Sequence, residues 1–251
     1  MSEIKSFLPS FEGCSVLVTG HTGFKGTWLC HWLLGLNAEV SGISLAELPS
    51  DPCHFAISGV AQKIRDCRQD VRNREEVNDL IQTIKPDYVF HLAAQSLVGE
   101  GYSNAIGTFE TNLIGTINLL EALKTSHRPC IAVIITSDKC YENVEWVWGY
   151  REIDRLGGQD PYSASKACAE IAIKSFVDSF LTKDGPVRVG IARAGNVIGG
   201  GDWAPGRIVP DCVRAWTSGQ IVELRNPNST RPWQHVLEPL GGYLRLARCL
   251  E

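Results

Sequence analysis

The chain lacks any uninterrupted apolar run of the roughly 18 to 20 residues that a membrane-spanning helix requires. Its opening, MSEIKSFLPSFEG, lacks the basic segment followed by an apolar one that marks a secretory signal, so none is expected. A basic excess is absent too: 24 Lys and Arg stand against 28 Asp and Glu, a net charge of −4. That balance argues against a general nucleic-acid binder. It leaves room for an anionic small ligand, which needs only local positive charge. Nine cysteines are present, but no two are spaced as CxxC and the number is odd. Reduced, mostly buried thiols in a cytosolic protein are the expectation. Clustered metal ligands are wanting, so no metal site is expected. No internal repeat or low-complexity tract is present.

What is there is ordinary globular material, 44% hydrophobic and 21% charged. Its 251 residues suffice for one large core, or a large domain with a small one. Short apolar runs at 15–18, 39–44, 88–92, 130–136 and 188–192 read as strands. Helix-like stretches separate them, at 27–36, 74–84, 104–124 and 162–181, with a last one at 237–250. In 74–84, Val77, Leu80, Ile81 and Ile84 fall on one helical face. Strands that are apolar throughout and separated by helices predict an α/β fold with a doubly wound parallel Rossmann sheet. The ligand crevice of such a sheet lies beyond the carboxyl ends of its strands. Gly20, Ser44, Ala93, Ser137 and Ala194 stand at those exits. Beyond Ala194 the chain turns rich in Gly, Pro, Asn and Arg. The expected division is a dinucleotide-binding domain over 1–194, with 236–251 packing back on it, and a substrate-binding region over 195–235.

Glycines 20, 23 and 26 in GHTGFKG are spaced GxxGxxG, between the first strand and the first helix. Glycine permits positive φ and close backbone approach, and the helix N-terminus attracts a pyrophosphate. This loop, with Thr22, Phe24 and Lys25 in it, is expected to bind a dinucleotide. Lys25 either touches phosphate or is solvated. A carboxylate usually ends the second strand and binds a ribose hydroxyl, repelling a 2′-phosphate. Here Ser44 holds that position, so NAD is expected without excluding NADP. Asp70, beside Val71, either accepts from an adenine amino group or caps the following helix.

Tyr162 and Lys166 are four residues apart, on one face of a helix. An ammonium beside a phenol stabilises the phenolate, and a phenolate can take a hydroxyl proton while hydride leaves the same carbon. The pair follows an apolar strand that ends in Thr136, Ser137, Asp138 and Lys139.

These residues resemble the extended short-chain dehydrogenase/reductase superfamily, and within it the nucleotide-sugar 4,6-dehydratases. The matching segments are GHTGFKG (20–26), HLAAQ (91–95), TSDKCY (136–141), WGYRE (148–152), DPYSASK (160–166), ARAGNVIGGGDW (192–203) and RPWQHVLEPL (231–240). They run nearly the length of the chain in order. The resemblance implies oxidation of a glucose 4-hydroxyl by NAD, loss of water across C5 and C6, and return of the hydride to C6. It implies Tyr162 as base, Lys166 as its partner, Ser137 bonding the same hydroxyl and Asp138 as acid for the departing 6-hydroxyl. Related dTDP-glucose and GDP-mannose dehydratases carry Glu where Lys139 stands, whereas the CDP-glucose branch carries Lys. The resemblance therefore points to CDP-glucose as substrate. Lys139 is either the base for the C5 proton or a partner of Asp138 or of cofactor phosphate. Leu92, Ala93 and Ala94 are implied on the nicotinamide side, Gln95 at the sugar, and Asn112 as a helix-kinking support.

In the late loops, Asn196, Arg207 and Arg231 match family positions that contact the nucleotide-sugar diphosphate, and arginine forks suit phosphates. Arg193 lies in the same region. His235, with Trp203 and Trp233, either flanks the nucleotide or packs in the core. The resemblance further implies a homodimer through a four-helix interface, and a substrate-binding region incomplete relative to the family. A 4-epimerase or reductase of the same fold is the first alternative, and a non-catalytic dinucleotide-binding module the second.

Overall fold

The computed structural model describes residues 10–126, 128–181, 185–224 and 226–251. The first nine residues, part of the stretch read for a secretory signal, lie outside that description. Six parallel strands form one sheet: β1 (Ser15–Thr19), β2 (Glu39–Ser44), β3 (Arg65–Arg68), β4 (Tyr88–His91), β5 (Cys130–Ile135) and β6 (Val187–Ala192). Their order is β3-β2-β1-β4-β5-β6. The order reverses between β1 and β4, which opens the crevice of a doubly wound sheet at their carboxyl ends. The expected parallel α/β fold is therefore the one observed. Among the described residues no helix is long and apolar enough to cross a membrane.

Each face of the sheet carries its own core. On one, α1 (Phe24–Gly35) and the last helix, Leu237–Cys249, pack Leu29, Leu33, Leu240 and Leu244 against Val16, Val18 and Phe90. On the other, α3 (Arg74–Ile84) sets Val77, Leu80 and Ile81 against Leu17, Val89 and Leu123. Asn73 starts α3, its side chain accepting from the amides of Glu75 and Glu76. A short helix α2 (His54–Ile57) precedes β3.

Two elements differ from the expectation. β3, sequence RDCR, is a polar edge strand, so the apolar-run criterion passes over it. The stretch read as one helix over 104–124 is built in parts: α4 (Val98–Ser103), α5 (Ala105–Phe109), a π-helical turn at Glu110–Ile114, and α6 (Gly115–Lys124). Beyond it α7 (Pro161–Ser179) starts on Asp160, whose carboxylate accepts from the Ser163 amide at 3.0 Å, with Pro161 in the first turn. After β6 the chain forms β7 (Asn196–Ile198), α8 (Ile208–Thr217) and β8 (Trp233–His235) before the last helix, α9. β7 and β8 pair as a separate two-stranded parallel sheet.

A buried imidazole ties the sheet to the π-turn. His91 Nδ1 lies 2.7 Å from Thr19 Oγ1, and its Nε2 lies 3.0 Å from Thr116 Oγ1. Thr116 donates to the Asn112 carbonyl at 2.8 Å, and the Ala93 amide donates to Thr19 at 3.0 Å. The tautomer with the proton on Nε2 satisfies every group. Burial, with the nearby Lys166 charge, pushes the His91 pKa from 6.5 down to about 3. The unfolded chain thus binds the extra proton first, and stability is lost as pH falls from 6.5 towards 3. We predict that His91→Gln costs about 1–3 kcal/mol at neutral pH and flattens that acid slope, read by urea unfolding at a series of pH values.

Candidate active site

The glycine turn after β1 is a cradle that side chains would fill. Gly20 has φ +72°, and a Cβ there would sit 2.7 Å from the Ala93 nitrogen. A Cβ on Gly26 would sit 2.2 Å from the Gly20 carbonyl oxygen. Gly23 is the N-cap of α1 and supplies no side-chain cap, so the first amides of α1 stay available to an anion. Phe24 reaches towards the β7 end, its ring edge 3.1 Å from where a Cβ of Gly199 would stand. The residues present therefore fit a dinucleotide pyrophosphate.

Lys25 is half-buried. Its Nζ donates to the Tyr243 hydroxyl of α9 at 3.2 Å. Burial, then the charges of Lys166 and Arg207, bring its pKa to about 7, against the pull of Asp138.

Ser44, at the end of β2, belongs to a chain of polar groups. The Thr22 amide donates to Ser44 Oγ at 3.3 Å, and Ser44 Oγ is 3.1 Å from His21 Nδ1. His21 Nε2 is 2.8 Å from Asp66 on β3, and Asp66 also pairs with Arg68 at 2.8 Å. His21 is fully buried, and burial lowers its pKa despite Asp66. Neutral His21 then donates to Asp66 and accepts from Ser44. His21, Asp66 and Arg68 were not legible as site residues. His21 falls on one of the unspecified positions of the GxxGxxG spacing, and the other two lie on the polar edge strand.

Asp70 does not cap α3, since Asn73 does. Its carboxylate holds Arg72, whose Nη2 lies at 2.6 Å, and this outweighs burial and lowers the Asp70 pKa. The Val71 and Arg72 carbonyls accept from Asn118 at 3.0 and 2.9 Å, which pins this loop to α6.

The candidate catalytic groups Ser137, Asp138, Lys139, Tyr162 and Lys166 lie around the end of β5. Ser137 Oγ lies 3.1 Å from Asp138 Oδ1 and accepts from the Lys139 amide at 3.3 Å. Tyr162 is buried, and burial raises its pKa, against a hydrogen bond with Ser137 and the charge of Arg207. The expected lowering by Lys166 is thus not what dominates. Lys166 Nζ donates to the Ile135 carbonyl at 3.3 Å, and burial brings its pKa to about 8 while Glu170 opposes. Lys139 is half-buried and forms no ion pair with Asp138 among the described residues.

The crossover after β4 carries Leu92, Ala93, Ala94 and Gln95. Asn112 in the π-turn accepts from the Gln95 amide at 2.9 Å and donates to the Gln95 carbonyl at 3.0 Å. It also donates to Ser165 Oγ at 2.8 Å. The Gln95 side chain, expected at the sugar, instead bonds Leu97 backbone and Thr108 at 2.9 Å, closing its own loop. Arg207 lies over the crevice, donating to Ser96 at 3.0 Å and to Asp202 at 2.9 Å. Asn196 begins β7, close to Asp138: a Cβ on neighbouring Gly195 would stand 3.4 Å from that carboxylate. Arg231 is exposed and donates to the Thr230 carbonyl, and His235 Nδ1 accepts from the Leu237 amide at 3.4 Å. Neither contacts another candidate among the described residues. Arg193 is held by Glu170 on α7.

A glycine turn at the switch point and Ser137, Tyr162 and Lys166 at the next exits define an extended short-chain dehydrogenase/reductase. A family model described as GDP-mannose 4,6 dehydratase matches residues 17–247, and the chain belongs to that family. It is 48% identical over 244 residues to CDP-glucose 4,6-dehydratase of Salmonella typhimurium strain LT2, covering 96% of this chain and 68% of that protein. The solved structure of MoeE5 in complex with UDP-glucose and NAD is 26% identical, with a TM-score of 0.74 over 90% of this chain and 69% of that one. DesIV, a dTDP-glucose 4,6-dehydratase from Streptomyces venezuelae with NAD and TYD bound, shares the fold, with a TM-score of 0.81 at 24% identity over 92% of this chain and 71% of that one.

Asn112 is 1% exposed, so its loss leaves buried groups unpaired. Asn112→Ala is expected to cost about 2 kcal/mol. The Gln95 amide is expected to lose protection in hydrogen exchange, and unchanged protection there would refute the clamp.

Proposed function

We propose that the chain is an NAD-dependent CDP-glucose 4,6-dehydratase, forming CDP-4-keto-6-deoxy-glucose. The observation that carries this is the convergence of Ser137, Asp138, Tyr162 and Lys166 in a chain 48% identical to such an enzyme. NAD, when bound, supplies the hydride acceptor and a cationic ring. Gly20, Gly23 and Gly26 approach its pyrophosphate, with Thr22, Phe24 and Lys25 beside them. Asp70 and Val71 face the adenine end, Ser44 the ribose, and Leu92, Ala93 and Ala94 the nicotinamide. Ser44 brings no carboxylate, and Asp66 from β3 stands next to it through His21, which supports NAD over a 2′-phosphate.

Tyr162 takes the 4-hydroxyl proton, with Ser137 bonded to the same oxygen. A protonated Lys166 on the same helical face favours the phenolate, acting with Ser137 and Arg207 against the burial that raises the Tyr162 pKa. Once the 4-keto group forms, the C5 proton becomes acidic, and Lys139 takes it, which requires its amine to be unprotonated at that moment. Asp138 delivers a proton to the 6-hydroxyl as it leaves, which requires the carboxyl to be protonated at that moment. Arg207, Asn196, Arg231 and His235 hold the nucleotide-sugar diphosphate, Arg207 from its place over the crevice.

The exposed Ile106, Ile114 and Ile171 on α5, the π-turn and α7 support a homodimer through these helices. The scattered free cysteines support a reducing, cytoplasmic compartment, and the likeness to a CDP-glucose 4,6-dehydratase supports a place in deoxysugar biosynthesis of the kind that feeds lipopolysaccharide O-antigen.

Incubation with NAD and CDP-glucose is expected to give a product lighter by one water. Deuterium placed at C4 should appear at C6, an outcome that a 4-epimerase does not give. Tyr162→Phe should lower turnover by about 10²–10⁴-fold. Unchanged product mass with CDP-glucose would overturn the assignment.

A further inference from the structure

Arg193 sits at the exit of β6 in a region expected to grip phosphate, yet the structure turns it inward. Its guanidinium forks onto Glu170, with Nε at 2.8 Å from Oε1 and 3.1 Å from Oε2, and Nη2 on Oε2. Thr136 donates to the same Oε1 at 2.6 Å. The Glu170 side chain is 3% exposed, so both carboxylate oxygens are filled by buried donors. On its other side Arg193 donates to the Glu152 carbonyl at 3.2 Å and lies 4.6 Å from the Tyr141 ring centre. One ion pair thus touches the strand exit before Ser137, the loop over 141–152 and α7 one turn after Lys166.

We propose that Glu170 and Arg193 are a positioning pair for the reaction: they fix the Ser137–Asp138 turn and supply the counter-charge that faces Lys166. This rests on the dehydratase reading of the site. Glu170 is four residues after Lys166, hence on the same helical face. The other titratable groups around Lys166 are Lys25 from α1, His91 from β4, Cys140 from the turn after β5 and Tyr162, four residues earlier on α7. Lys25 carries the same sign of charge, His91 is neutral, and burial raises the Cys140 thiol pKa well above its ordinary value. Glu170 is therefore the one carboxylate among the groups named. Burial works to raise the Glu170 pKa, but bonds from Arg193, Thr136 and Cys140 hold it below the usual range. Arg193 keeps the anion in place, and the anion keeps Lys166 charged.

The test replaces both charges at once. In Glu170→Met/Arg193→Met the ion pair is removed whole, so neither of its own two charges is left buried alone and folding is expected to survive. Relative to parent, kcat with CDP-glucose should fall about 100-fold, more than KM changes. The alkaline limb of the rate profile should move to lower pH. Lys166, followed by NMR of [ζ-15N]lysine protein without substrate and assigned through Lys166→Arg, should likewise titrate at lower pH. If the double variant does not fold, Glu170→Gln and Glu170→Asp take its place. Gln should shift the Lys166 titration, and Asp, which keeps the charge but withdraws it from Thr136, should lower kcat without that shift. A folded variant with parental kcat and an unmoved Lys166 titration would overturn the proposal. A parent chain without turnover would sink the dehydratase reading alone, because the NMR titration still decides the counter-charge.

Discussion

The carboxyl end of the sheet, where the candidate site lies, depends on one carboxamide. Asn112 holds the backbone of Gln95 with both ends of its amide and reaches Ser165 on α7 with the remaining hydrogen. Ser165 lies between Tyr162 and Lys166, so the crossover after β4 and the helix that carries both groups share a single anchor. A regular α-helix would not present Asn112 this way. The π-turn adds one residue to the local ring and swings the side chain inward, a local cost accepted in the middle of an otherwise continuous stretch. The His91 chain reinforces the same turn from the sheet, through Thr116 and the Asn112 carbonyl.

Much of this was legible beforehand, for a physical reason. Strands buried on both faces have no polar side, so β1, β4 and β5 stand out as unbroken apolar runs. The glycine turn shows itself because two of its positions admit no Cβ. Tyr162 and Lys166 show themselves because a helix puts residues four apart on one face. β3 was hidden because an edge strand with mostly exposed side chains carries Arg and Asp.

The polar networks were hidden for a different reason. The pairing of Arg193 with Glu170 joins residues 23 positions apart, and His21 with Asp66 joins residues 45 apart. Nothing in local spacing announces such pairs. An arginine near an expected phosphate site reads as a ligand, and only the fold shows that a buried carboxylate already claims it. Asp70 repeats the lesson on a smaller scale: a helix start had two acceptors available, and Asn73 sits at the position whose geometry reaches the α3 amides.

Gly42 in the middle of β2 has no turn to make. A Cβ there would fall 2.3 Å from the His21 ring. The strand gives up a side chain so that an imidazole can lie across it and join Ser44 to Asp66. Positions 21 and 42 are consequently coupled through space. A side chain at 42 requires that the ring at 21 be moved or absent, and while the ring stays where it is, only glycine fits at 42.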